Sequence, residues 1–95
     1  MIIQMVKFKS ALSEQEVLAV AKARFPEFRA IPGLIQKYYV KLEQEDMYGG
    51  VYVWDSKESA AAYRQSDLAA SIPEAYKVLG KPVIELYEVF DQLRE

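Results

Sequence analysis

The run Gly49-Gly50-Val51-Tyr52-Val53-Trp54 ends on an indole, and a phenol, Tyr63, follows nine residues later. Across a strand-to-helix turn, that spacing lets Trp54 and Tyr63 converge on one end of a pocket. A tyrosine hydroxyl can hydrogen-bond a phenolic or quinone oxygen, and an indole can stack on an aromatic ring. Gln4 interrupts the apolar run Ile2-Ile3-Gln4-Met5-Val6. A buried amide there needs a partner, and it could donate to the same ligand oxygen. Such a slot would hold a flat ring, stabilise a developing phenolate through its donors and exclude water. The plainer reading is that Trp54 and Tyr63 are core aromatics, buried for their area.

Lys37 and Glu85 are charges inside otherwise apolar strands. Facing inward they would be desolvated, with shifted pKa values, as a functional pair is. Facing outward they are a solvated edge or a cross-strand ion pair of small value, which is the preferred reading. Tyr39, Tyr52 and Tyr76 complete the set of candidate substrate contacts, with Tyr38 and Tyr87 shared out between core and interface.

Composition removes other chemistries. The chain has neither cysteine nor histidine. It therefore lacks a disulfide, a thiolate nucleophile and a Ser-His-Asp triad, and also the commonest metal and haem ligand. There is no G-x-G-x-x-G, P-loop or zinc motif. The acidic residues Glu43, Glu45 and Asp46 lack the spacing of a calcium loop. No metal or cofactor is expected. A net charge of −2 argues against nucleic acid or an anionic membrane as partner. Gln4, Lys7 and Lys9 break the apolar start before it makes a signal segment, and no run of about 18 apolar residues follows. The expectation is a cytoplasmic protein.

The elements that must position these residues follow from their patterns. Ile2–Lys9 reads as a strand. Ser13 and Glu16 make a capping box, and Val17, Ala21, Phe25 and Phe28 recur at helical spacing. Pro26 should kink or end the regular helix near Phe25, with a short turn running on to Ile31. Pro32-Gly33 is a turn, Leu34–Leu42 a second strand, Glu43–Asp46 a hairpin loop and Tyr48–Trp54 a third strand. A second capped helix, with Asp55 as its cap, carries Ala60, Ala61, Ala62 and Tyr63. Ser66 caps a further short helix, Pro73 begins another turn that Gly80 closes, and Pro82–Phe90 is the fourth strand. Strand, helix, strand is thus repeated within residues 1–95. The predicted fold is a single α+β domain, ferredoxin-like, β-α-β-β-α-β in order, with an antiparallel four-stranded sheet and helices on one face.

That sheet looks oily on both sides. Val83, Tyr87 and Val89 oppose Ile84, Leu86 and Phe90; Val51 and Val53 oppose Tyr52 and Trp54; Leu34, Tyr38, Val40 and Leu42 oppose Ile35 and Tyr39. The helices cover one face. The other, about 400 Å² in projection, approaches the largest apolar patch of a monomer. A second copy packed sheet to sheet would bury it.

The run Pro32-Gly33-Leu34, with Lys37, then Gly49-Gly50-Val51-Tyr52-Val53-Trp54, Ser59-Ala60 and Ala62-Tyr63, resembles the dimeric α+β barrel superfamily. Within it the chain is similar to the small stand-alone monooxygenase-like proteins of bacteria, the YdhR-like branch, from Gln4 to Phe90. The resemblance implies a homodimer, a pocket between sheet and helices, and Gln4, Trp54 and Tyr63 as catalytic residues. Tyr63 stands where many relatives have a helix histidine, which puts haem ligation of the usual kind in doubt. The function expected is cofactor-independent oxygenation of a small aromatic or quinone-like compound. The alternatives are a non-catalytic homodimer that binds a small ligand and, less favoured, an RNA-binding module of RRM type.

Overall fold

Nine short elements follow one another along the chain, and the computed structural model describes all of residues 1–95. They are β1 (Ile2–Ser10), α1 (Glu14–Ala23), α2 (Phe25–Arg29), β2 (Leu34–Lys41), β3 (Met47–Trp54), α3 (Lys57–Arg64), α4 (Asp67–Ala70), α5 (Ile72–Ala75) and β4 (Val78–Glu88). The strands form one antiparallel sheet in the order β2-β3-β1-β4. The ferredoxin-like α+β fold expected from the repeated strand-helix-strand plan is therefore the fold observed.

Local chemistry explains the boundaries. Ser13 Oγ accepts from the Glu16 amide and Glu16 Oε1 from the Ser13 amide, the capping box that starts α1. The helix breaks at Arg24, and Pro26 lies in the first turn of α2. The regular helix thus ends near Phe25 as expected, and the short turn that follows is α2, whose first turn does not need the N–H that Pro26 lacks. Ser56, not Asp55, caps α3, accepting from the Ser59 amide, while Asp55 Oδ1 accepts from Ser59 Oγ at 2.6 Å. Gly80, expected to close a helix, lies inside β4 at φ +74. There β1 skips from Lys7↔Val83 to Lys9↔Leu79, a bulge that a residue at positive φ accommodates.

Register decides which residues meet. Ile2, Gln4, Val6 and Phe8 face the helices beside Trp54, Tyr52, Gly50 and Tyr48, their partners on β3. A second irregularity, between Leu34 and Gln36, turns Leu34 to this face, so it parts from Tyr38 and Val40. Beyond the bulge, Lys37 and Tyr39 sit across from Tyr52 and Gly50 on the helix side. Val17, Phe28, Ala60, Tyr63, Ile72 and Tyr76 close the core from the helical layer.

The other face carries Ile3, Met5, Val51, Val53, Tyr38, Val83 and Tyr87. Tyr38, Val83 and Tyr87 are 56%, 52% and 47% exposed, so one face of the sheet is apolar and uncovered within the subunit. No helix is long and apolar enough to cross a membrane.

Candidate functional site

The residues singled out by type and spacing fall into two neighbouring groups. At one end of the sheet Trp54 and Gln4 are 0% and 1% exposed. Trp54 Nε1 donates to Gln4 Oε1 at 2.9 Å, which satisfies the indole N–H and the amide oxygen in the interior. Tyr52 stacks on Trp54 with ring centroids 6.0 Å apart and planes 4° apart. Tyr63 packs on both rings at 5.3 Å, and its hydroxyl lies 3.1 Å from that of Tyr52. Gln4, Trp54 and Tyr63 do converge, but on one another. The space beside Trp54 is filled, and none of the three lines the cavity described next.

That cavity lies further along β3, between α1 and the sheet, with a volume of about 120 Å³. Val17 and Ala21 form its roof, Val6, Gly49 and Gly50 its floor, and Lys37, Tyr39, Tyr52 and Tyr76 are among its polar groups, with Tyr48, Glu14 and Lys41. Floor space exists because residue 50 has no side chain. A Cβ there would come within 3.0 Å of the Tyr52 ring and 3.2 Å of Lys37 Cε. A second groove of about 310 Å³, under Phe25, Phe28 and Arg29 at the β2 edge, shares Lys37 and Tyr39 with it. Together they reach the range of small-molecule sites, about 300–1,000 Å³. A wider trough of about 510 Å³ runs between α2 and α3 with Tyr63 on its floor. It brings together no comparable set of titratable groups.

Lys37 differs from every other lysine. Its Nζ lies 3.6 Å from the Phe28 ring centroid, 4.4 Å from Tyr39 and 4.5 Å from Tyr52. It takes part in none of the chain's ion pairs. Burial, seconded by the Arg24 charge, lowers its pKa to about 7. The preferred outward placement of Lys37 is thus corrected. The register shift after Leu34 turns it inward. Glu85 does not join it. It lies on the opposite sheet face, where Lys7 Nζ is 3.1 Å from Glu85 Oε1, a half-exposed pair of small value.

The phenols behave oppositely. Burial raises the pKa of Tyr52, Tyr39 and Tyr63, and that of Tyr76 to about 12. At neutral pH all four remain protonated donors. Tyr76 is held by its backbone: Ser10 Oγ donates to the Tyr76 carbonyl at 2.5 Å, and its ring packs on Phe8 at 5.2 Å. At the far rim Lys41 Nζ and Glu14 Oε1 pair at 2.6 Å and cancel each other's charge.

Arg24 was not among the expected residues. It donates through Nη2 to Ser71 Oγ, while Nη1 is buried without a hydrogen-bond acceptor. Its guanidinium sits 5.9 Å from the Phe28 ring. The signal was present: positions 17, 21, 24 and 28 are one helical stripe, and an arginine on an apolar stripe needs a reason.

Residues 2–93 match the family described as "Putative mono-oxygenase ydhR". Among solved structures, SnoaB, a cofactor-independent oxygenase from Streptomyces nogalater, is similar at 14% identity and a TM-score of 0.76, over 99% of this chain and 97% of that one. A putative antibiotic biosynthesis monooxygenase from Deinococcus radiodurans is similar at 14% identity and a TM-score of 0.75, covering 100% and 98%. NE2512, a protein of unknown function from Nitrosomonas europaea, is similar at 18% identity and a TM-score of 0.76, covering 99% and 93%. At such identities the likeness is one of fold. A search of curated proteins returned no match.

Proposed function

Because the chain belongs to the ydhR mono-oxygenase family, we propose that its cavity binds a small aromatic or quinone-like compound and oxygenates it without a cofactor. The observation that carries this reading is the cavity itself. Apolar walls enclose Tyr39, Tyr52 and Tyr76, whose protons burial retains, and Lys37, which pairs with no carboxylate, a set that suits a flat ring bearing oxygen. The similarity to a cofactor-independent oxygenase adds to it.

The chemistry needs no outside reductant if the substrate supplies the electrons. A phenol becomes its quinone: one C–H and the O–H bond break, one atom of O2 enters as a new C=O, and the other leaves as water with both hydrogens. In such a reaction the protein stacks the ring on Tyr39 and Tyr52, holds its oxygen through tyrosine donors, and keeps water away from the reactive anion. Trp54 and Gln4 then act as positioning residues, fixing the plane of Tyr52 from behind. Oxygen uptake with a panel of hydroxylated aromatics, on protein treated with chelator and free of flavin and haem, tests this reading. Catalysis predicts one O2 consumed per quinone formed. Ring compounds that bind saturably without uptake would instead favour the non-catalytic ligand carrier. RNA binding has less support, since Tyr48, Tyr52 and Trp54 face the helices, not the open sheet face where an RNA-stacking platform would lie.

We also propose that a second copy covers the apolar sheet face, around Tyr38, Val83 and Tyr87, by a symmetric contact. Sedimentation velocity at micromolar concentration should give twice the 10.9 kDa chain mass. A stable single-chain particle would refute the pairing.

A further inference from the structure

Resting on the ligand site proposed above, we infer that the cavity takes its ligand as an anion, a phenolate or enolate formed from an acidic hydroxyl and held by Lys37, with Arg24 as the supporting charge. Two features of geometry lead there. Lys37 Nζ sits in a cage of three rings with no carboxylate to pair it. Arg24, at the junction of α1 and α2, buries Nη1 with no acceptor. Lys37 in the cavity wall, without an acceptor, and Arg24, outside the lining but close enough for its charge to act on Lys37, describe a site completed by a negative oxygen.

The groups facing Lys37 leave little else to supply that charge. From β2 and β3 come Tyr39 and Tyr52, and after α5 Tyr76 in the cavity lining, all with burial holding the proton on, as it does on Tyr63 behind Tyr52. Glu14 on α1 is the only carboxylate lining the cavity, and it is engaged by Lys41. Above about pH 7 much of Lys37 is the free amine. The transfer then balances within the site: ArOH and the Lys37 amine become ArO⁻ and the Lys37 ammonium, with the O–H bond broken and an N–H bond formed. Below that pH Lys37 is already charged, and binding releases the phenol proton to solvent. Either way the complex is the same ion pair, and an electron-rich phenolate is the form that reacts with oxygen. Substrates are therefore acidic phenols and enols, and their methyl ethers are excluded.

The probe is 4-nitrophenol, whose ionised form alone absorbs in the visible, titrated into the intact protein on the acid side of the probe's own midpoint. The expected result is a visible phenolate band that grows with protein and saturates. Lys37→Met should abolish the band and weaken binding roughly ten- to hundredfold. Lys37→Arg, always charged, should keep the band and lose only the decline in binding above about pH 7, where the wild-type amine is neutral. Binding of the probe as the neutral phenol, or of 4-nitroanisole equally well, would overturn this inference and leave the aromatic site standing. If neither probe nor any hydroxylated aromatic binds, the site reading itself falls and this inference with it.

Discussion

Lys37→Met is expected to lower oxygen uptake with a hydroxylated aromatic by about a hundredfold or more, the lower end of what a positioned proton acceptor contributes. The same substitution should make the protein more stable. Lys37 is charged in the unfolded chain up to its ordinary pKa of 10.5, whereas in the fold burial lowers that pKa to about 7. Between those values the unfolded chain binds more protons, so wild-type stability rises with pH from about 7 to about 10.5. Below about pH 7 the full burial cost of the ammonium is carried. Met removes that cost and keeps most of the stem's packing. The ring cage and partial hydration offset part of the desolvation, so the gain at pH 7 is about 1–3 kcal/mol. That is several degrees or more in Tm for a domain of this size, about 4–8 °C per kcal/mol. Wild-type uptake should rise with pH through about 7 as the amine is freed, and the variant should lack that rise. A group that loses rate and gains stability on removal is held for function. Paired pH profiles of rate and Tm check both signs, and a variant that is slower and also less stable would point to lost packing instead.

Trp54→Ala should have the largest effect on folding. Trp54 is fully buried, stacks on Tyr52 and Tyr63, and satisfies Gln4. Truncating a buried tryptophan costs about 3–5 kcal/mol, and the abandoned Gln4 amide adds about 1–3 kcal/mol. Small domains have about 5–15 kcal/mol in all, so the variant should be largely destabilised near room temperature in denaturant titration. Replacing Trp54 by Phe and Gln4 by Leu together removes both polar partners and keeps an aromatic plane behind Tyr52. That double variant should recover most of the stability and keep oxygen uptake within about tenfold, since neither side chain lines the cavity. Loss of all uptake in a well-folded double variant would instead return Trp54 and Gln4 to the reaction.

The order of elements was legible because its signals are local. Ser13 with Glu16, the stripe through Val17 and Phe28, and the Pro32-Gly33 turn each depend on residues a few positions apart. The two-sided apolar sheet was legible too, from alternation alone. What periodicity could not show is register. One irregularity between Leu34 and Gln36 parts Leu34 from Tyr38, and it also decides that Lys37 looks inward. Glu85 is set by pairing with β1, more than seventy positions away in sequence, which puts it on the opposite face beside Lys7. Gly80 reads as a helix stop by type, yet serves a bulge in β4. For the site, the sequence named Lys37, Tyr39, Tyr52 and Tyr76 among its candidates, and the structure lines one cavity with all four. Convergence of Trp54 with Tyr63 was also correct in geometry. Whether the converging rings leave room between them depends on packing, which spacing does not encode. Arg24 carries no apolar signal of its own on that stripe, and Phe25 competes for the same turn.

The most direct test is a crystal structure of the protein with a hydroxylated aromatic bound. The ring should lie between α1 and β3, over Gly50 and against Tyr39 and Tyr52, with its oxygen within hydrogen-bonding distance of Lys37 Nζ. A ligand seated instead in the trough between α2 and α3, or on the open sheet face with the Lys37 cavity empty, would contradict the account.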